Sequence, residues 1–230
     1  MAPFSDRQDA GRQLAERLAP LRAEHPIVLA LPRGGVPVGY EIARALGAPL
    51  DVIVARKLGA PHQPEFGIGA IAPGGVRLLD WPVVEALGIP PAELDRIAVA
   101  ETAEMERRLR EFRDDRPPLD VAGRVAIVVD DGLATGVTAR AAVAAVRAQR
   151  PARVVLAAPV CSPEAARALG AEADEVVCLA TPPDFRAVGL WYEDFEQTSD
   201  AEVVALLRQA RQHAPAAAEG EEPGDARPAS

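Results

Sequence analysis

The chain has 230 residues, 49% of them hydrophobic, and carries 25 Lys and Arg against 34 Asp and Glu for a formal net charge of −9. That length and apolar content suffice for one sizeable α/β domain with a small appendage, while the charge argues against broad binding to nucleic acid or anionic membrane. No apolar run approaches the ~20 residues of a membrane span, and the polar stretch 1–12 lacks a signal peptide's apolar region, so a cytoplasmic protein with no nucleic-acid or membrane partner is expected.

The order of elements begins with a helix over about Phe4–Ala23, capped by Asp6, with Ala10, Leu14, Leu18 and Leu21 as its apolar stripe. Ile27–Leu31 is a short apolar strand between Pro26 and Pro32. It leads into Pro32–Arg33–Gly34–Gly35 and a helix over about Val38–Leu46. A glycine pair after a strand permits close backbone approach, and an adjacent Arg can reach a phosphate. Many strand-to-helix turns hold the same residues without that role. Asp51–Ala55 is the next strand, ending in Arg56–Lys57. Ligands of open parallel sheets bind beyond the carboxyl ends of the strands, so these cations are either anion ligands or solvated charges. Lys57 is the single lysine of the chain. Either Arg will not serve there, as at a tight phosphate site, or one Lys survives by chance.

Leu58–Gly75 holds five glycines and three prolines. It is expected to be a long loop of the kind that forms lids, with His62 and Glu65 as its titratable residues. A small hairpin, Gly67–Ala72 against Val76–Leu79, is expected around Pro73–Gly74–Gly75. Pro82–Leu87 and Pro91–Arg113 read as helices. The second is amphipathic, with Leu94, Ile97, Ala98, Met105, Leu109 and Phe112 along one side, and should pack on the core or on a second subunit. This helical insert, about 82–116, ends at Pro117–Pro118.

Val125–Val129 is a run of five apolar residues, four of them β-branched, which reads as a strand buried on both faces. Asp130 and Asp131 follow, then Gly132–Leu133, the loop Ala134–Thr135–Gly136–Val137–Thr138, and a helix-prone run from Ala139 to Ala148. Free N–H groups at a helix start, with Thr hydroxyls, can hold a phosphate. Two carboxylates repel phosphate but suit sugar hydroxyls or, through water, Mg²⁺. The segment therefore asks for a ligand with a phosphate, vicinal hydroxyls and a metal. Arg153–Val160 and Asp174–Leu179 are further strands, flanking a Ser162-capped helix with Pro163 at its first position. The alternation predicts a doubly wound, mostly parallel sheet of five strands with helices on both faces.

Cys161 and Cys178 each lie in or beside an apolar run, and two buried free thiols are expected rather than a disulfide. Four of the nine aromatics fall in 181–200: Phe185, Trp191, Tyr192 and Phe195. They can stack on a planar base or form a satellite core. Asp200–Gln212 is a closing helix, and 214–230, built of Ala, Pro, Gly and acid, should be disordered.

The segment from Val125 to Thr138 resembles the PRPP-binding signature of type I phosphoribosyltransferases: apolar residues, two acids, two further residues, then Thr-Gly-x-Thr. It departs from that pattern at Gly132, where most members have an apolar residue, and at Val137, where many have a second Gly. The resemblance covers roughly residues 5–213 and implies one phosphoribosyltransferase domain, 1–213, with a hood formed by about 181–200 and part of the N-terminal region. It implies transfer of 5-phosphoribosyl from PRPP to a nitrogenous base, release of pyrophosphate, assistance by Mg²⁺ held through water by Asp130 and Asp131, and a homodimer. Arg33, Gly34 and Gly35 match the pyrophosphate loop. Arg56 and Lys57 would face PRPP, the Ala134–Thr138 loop would anchor its 5-phosphate, and His62 or Glu65 would act from a flexible loop. Phe185, Val188 and Trp191 match the base-binding hood. Lys57, Asp130, Asp131 and Arg33 are the catalytic candidates.

Hypoxanthine/guanine-type relatives carry an acid at the position of Ala134 and a Lys before the hood. Here Val176–Val177–Cys178–Leu179–Ala180 has no basic residue. Adenine and orotate enzymes have Ala or Thr at that loop position, and Arg186 is the basic residue nearby for an orotate-like acceptor. A purine-like base is preferred. Two other readings stand beside the enzyme: a non-catalytic sensor of PRPP or nucleotide with the same fold, and an α/β domain binding another phosphorylated metabolite.

Overall fold

The computed structural model describes residues 3–213; the expectation for 214–230 lies outside them. Five parallel strands form the central sheet: β1 (Ile27–Ala30), β2 (Leu50–Val52), β6 (Val125–Val129), β7 (Arg153–Val160) and β8 (Glu175–Ala180). Their spatial order is β2-β1-β6-β7-β8. The reversal of direction between β1 and β6 makes a topological switch point, where the loops leaving two neighbouring strands part and open a crevice.

The β-branched runs split cleanly between the two faces. Ile127, Val129, Val155 and Ala157 join one apolar cluster with helices α1 (Arg7–Leu18), α2 (Gly35–Leu46) and α7 (Asp200–His213). Ala126, Val128, Val154 and Leu156 join the other, with α5 (Val137–Ala148) and α6 (Pro163–Leu169). All eight side chains are fully buried, and a Val or Leu so placed contributes about 1.5–3 kcal/mol by burial. The five-stranded doubly wound sheet read from the sequence is the one observed.

Local signals hold well. Asp6 caps α1 by accepting from the Asp9 N–H, and α1 ends in a 3₁₀ turn over Ala19–Glu24. Ser162 accepts from the Ala165 N–H at the start of α6. Helix α4 (Pro91–Arg113) follows the short α3 (Trp81–Ala86) and packs on the chain's own β2 and α7 and on the strands β3 (Arg56–Ala60) and β4 (Gln63–Ala72). None of the described helices is long and apolar enough to cross a membrane.

Three expectations need correction. The strand placed at Asp51–Ala55 is Leu50–Val52; beyond it the chain leaves the parallel sheet and starts another. The stretch Leu58–Gly75 is no open loop. Strands β3 (Arg56–Ala60), β4 (Gln63–Ala72) and β5 (Val76–Leu79) form a three-stranded antiparallel sheet that includes the expected hairpin. Gly59, Gly67 and Gly69 lie within its strands, with register shifts on either side of Gly59, while Gly74 and Gly75 form the turn between β4 and β5. Cys161 and Cys178 are joined in a disulfide, with Cα atoms 6.2 Å apart. The adjacency of β7 and β8 that brings them together is a tertiary fact with no local sign.

Asp51 lies inside β2, 7% exposed. Its carboxylate accepts from Arg113 Nε at 3.0 Å, the Val52 N–H at 2.7 Å and the Leu119 N–H at 3.2 Å, locking α4 and the following segment to the sheet edge. Removing one partner of a buried pair strands the other charge. Asp51→Ala should therefore lower unfolding stability by about 3 kcal/mol or more, read from urea melts; a change under about 0.5 kcal/mol, the range of ordinary surface substitutions, would contradict this role.

Candidate functional site

The crevice at the switch point is walled by the loop after β1 and the loop after β6. They meet almost backbone to backbone. A Cβ on Gly35 would sit 2.6 Å from the Val129 carbonyl oxygen and 3.0 Å from the Asp130 Cα. A Cβ on Gly34 would lie 1.9 Å from Asp131 Oδ2. Those are separations no side chain survives, so the glycine pair is what allows Arg33–Gly35 to lie against the two acids. The peptide between Pro32 and Arg33 is cis; the neighbouring Arg33–Gly34 bond is not.

The second loop presents free backbone donors at a helix start. Gly136 adopts a left-handed φ of 70°, a conformation glycine takes without steric cost, and α5 starts immediately after it. Among the described residues no hydrogen-bond acceptor meets the backbone N–H groups of Ala134 to Thr138. They form a cradle of free donors at a helix start. The loop is held from behind: the Ser162 hydroxyl donates to the Ala134 carbonyl at 2.7 Å, and the Ser162 N–H donates to the Leu133 carbonyl at 2.8 Å. The end of β7 thus fixes the loop without touching its open face.

Burial pushes the Asp130 carboxyl well above its usual range, and repulsion from Asp131 adds to this. Burial raises Asp131 too, but the Arg7 guanidinium opposes the rise. Arg7 Nε donates to Asp131 Oδ2 at 2.8 Å, with the two side chains only 11% and 16% exposed. Arg7 also donates from Nη1 to the Glu196 carbonyl at 2.6 Å and lies 3.9 Å over the Phe195 ring. The Tyr192 hydroxyl donates to the Asp131 carbonyl at 2.6 Å, and burial beside the acids pushes its own pKa upward. Sequence reasoning missed Arg7. It sits in an ordinary amphipathic helix, 124 residues from its partner.

The other candidates are dispersed. Arg33 reaches toward Asp200 at the start of α7, 3.7 Å away. Arg56 is engaged by Glu101 of α4 at 2.6 Å. Lys57 donates to the Glu65 carbonyl at 2.8 Å, across the β3–β4 hairpin, and His62 forms the turn between them with φ 65°. Val188 lies against the signature loop: a Cβ on Gly132 would come within 2.4 Å of its Cγ1. Tyr192 is buried in a satellite core with Phe4 and Ala10, against which Val188 and Trp191 pack. Phe185 is half-buried outside that cluster. The N–H groups of Glu193 and Asp194 donate to the carbonyls of Phe4 and Ser5, so the start of the chain and the 188–195 segment form one unit over the acids.

Comparison with known proteins agrees with this geometry. The model of the phosphoribosyl transferase domain family matches residues 7–190. The Mycobacterium tuberculosis proteins called "Putative phosphoribosyl transferase Rv0571c" and "Putative phosphoribosyl transferase MT0597" are each 50% identical over 210 residues, 91% of this chain and 47% of theirs. The chain spans about half the length of these curated relatives. The crystal structure of TT1426 from Thermus thermophilus superposes with a TM-score of 0.77 at 46% identity, covering 90% of this chain and 98% of that one. With the acid pair, the glycine-lined first loop and the open amide cradle at one switch point, and a family match that runs through all three, the chain belongs to the phosphoribosyl transferase domain family.

Proposed function

We propose that this chain transfers a 5-phosphoribosyl group from PRPP to a nitrogen of a planar base, releasing pyrophosphate. The observation that carries the reading is the open amide cradle of 134–138 set beside two half-buried carboxylates. A phosphate fits the first and ribose hydroxyls fit the second, and PRPP offers both on one sugar. The Gly34–Gly35 backbone, held against the acids, supplies a wall for the pyrophosphate. Anchoring the 5-phosphate and both hydroxyls fixes the anomeric carbon, which is catalysis by positioning.

The site suits Mg²⁺. Asp130 and Asp131 bring two carboxylates to one end of the sheet, and Mg²⁺ prefers one or two carboxylates plus water and substrate oxygens. Asp130 and Asp131 would hold it, and it would offset charge on the departing pyrophosphate. Lys57 and Arg33 are the side chains assigned to that same charge, which requires each to leave the carboxylate or carbonyl it now meets. The base would lie on the 185–191 side, with Phe185, Val188 and Trp191 as its contacts and a purine-like ring preferred. The protein is proposed to work in the cytoplasm as a homodimer.

Calorimetry with PRPP and Mg²⁺ should show binding, and a panel of purine, pyrimidine and nicotinate-type bases should include one that drives pyrophosphate release. Absence of PRPP binding overturns the reading; binding without release on any base would favour a sensor. Lys57→Ala should retain part of the PRPP affinity and lose about 100-fold or more in turnover, in keeping with the loss of a charge acting in the transition state; unchanged turnover removes Lys57 from the catalytic set.

Asp130→Asn should abolish turnover yet stabilise the fold. The carboxyl of Asp130 is raised above its ordinary 3.8 in the native state. As pH rises from about 4 the unfolded chain releases this proton while the native one still holds it, so native stability falls. Asn cannot ionise and escapes that loss. The variant should melt about 2–4 °C higher at pH 7 for each kcal/mol relieved, with the gain shrinking toward pH 4. A lower melting temperature at pH 7 would contradict the buried like-charge account.

A further inference from the structure

Asp131 is the acid with the least freedom in the site. Its Oδ2 is pinned from two sides, by Arg7 Nε at 2.8 Å and by the backbone at Gly34, where even a Cβ would stand 1.9 Å away. That leaves Oδ1 to accept from a ligand hydroxyl. Arg7 is itself fixed at three points. Its Nε meets the acid, its Nη1 meets the Glu196 carbonyl at 2.6 Å, and its plane stacks on Phe195 at 3.9 Å. A guanidinium can serve all three at once because it is a flat fork; an ammonium cannot.

We propose that Arg7 is a positioning residue for the donor sugar: it clamps the Asp131 carboxylate against the first loop so that the ribose hydroxyls meet one prearranged oxygen, and it is itself braced by Phe195 and the Glu196 carbonyl of the 192–196 segment. The proposal rests on the PRPP reading above. Its role is orientation rather than charge. A cation beside Asp131 offsets the negative charge that a cationic anomeric carbon would use, so its benefit must come from holding the carboxylate still. The same contact ties the covering segment to the ribose end of the site, since Phe195 and Glu196 lie on that segment and Tyr192 caps the Asp131 carbonyl.

The test is a double-mutant cycle on the full chain, with wild type, Arg7→Ala, Asp131→Asn and the double variant, reading the PRPP dissociation constant in Mg²⁺ by calorimetry and the melting temperature of each. Arg7→Ala should weaken PRPP about 10- to 100-fold, the range of a lost hydrogen bond to a charged group. In the Asp131→Asn background the same change should cost less than about threefold, because the group it orients is gone. A merely structural role would lower melting equally in both backgrounds and cost affinity equally in both, and that additive result overturns the proposal. Tighter binding by Arg7→Ala also overturns it, since Arg7 would then be blocking the acid. Arg7→Lys keeps the charge and most of the packing; it should bind nearer to Arg7→Ala than to wild type, and wild-type binding would refute the need for a fork. Failure of the wild type to bind PRPP removes the whole PRPP reading, whereas wild-type binding with an additive cycle removes the role of Arg7 alone.

Discussion

Everything at the ligand end of this molecule depends on two loops lying closer than any side chain would allow. Gly34 and Gly35 put bare backbone against Val129, Asp130 and Asp131. That contact spans the switch point between β1 and β6, the place where a sheet of order β2-β1-β6-β7-β8 must open. The sheet supplies the crevice, and the glycines set its width. Val129 and Ile127 are anchored in a fully buried strand, so the acids that follow inherit a rigid base. The Ser162 hydroxyl and N–H do the same for the cradle from the next strand over.

Rigidity there has an electrostatic cost. Two neighbouring carboxylates are withdrawn from water, and both are harder to ionise than free acids. One guanidinium, Arg7, offsets part of this for Asp131, and Arg7 together with the Asp131 N–H offsets part of it for Asp130, where burial and repulsion still prevail. Ligand-binding sites commonly sit away from the stability optimum of the fold. Here the unfavourable charge is what a cation and sugar hydroxyls would bind in the function proposed above. The rest of the structure bears it through the core on both faces of the sheet and through locks such as Asp51 with Arg113.

Much of this was legible in the sequence because the signals are local. Apolar runs rich in β-branched residues marked the strands, caps at Asp6 and Ser162 marked helix starts, and the acids, Thr135, Gly136 and Thr138 stand within nine residues of one another. What escaped was set by distant partners. Arg7 meets Asp131 across 124 residues, Arg56 meets Glu101 across 45, and the bond between Cys161 and Cys178 needs β7 and β8 to be neighbours. Breaker residues misled in one segment: the glycines between Leu58 and Gly75 read as loop, yet several sit in strands where backbones approach closely, as Gly59 does beside Pro64 and Gly69 beside Leu78. A glycine reports a tight place and not which kind.

Val188 stands over Gly132, within contact of a single absent methyl. The two positions share one side chain's worth of volume. A bulkier residue at 132 and a branched one at 188 exclude each other, so the signature loop and the covering segment form a matched pair of parts. Any chimera that borrows the 181–200 segment from a relative must borrow its residue at 132 as well, or lose the closure between them.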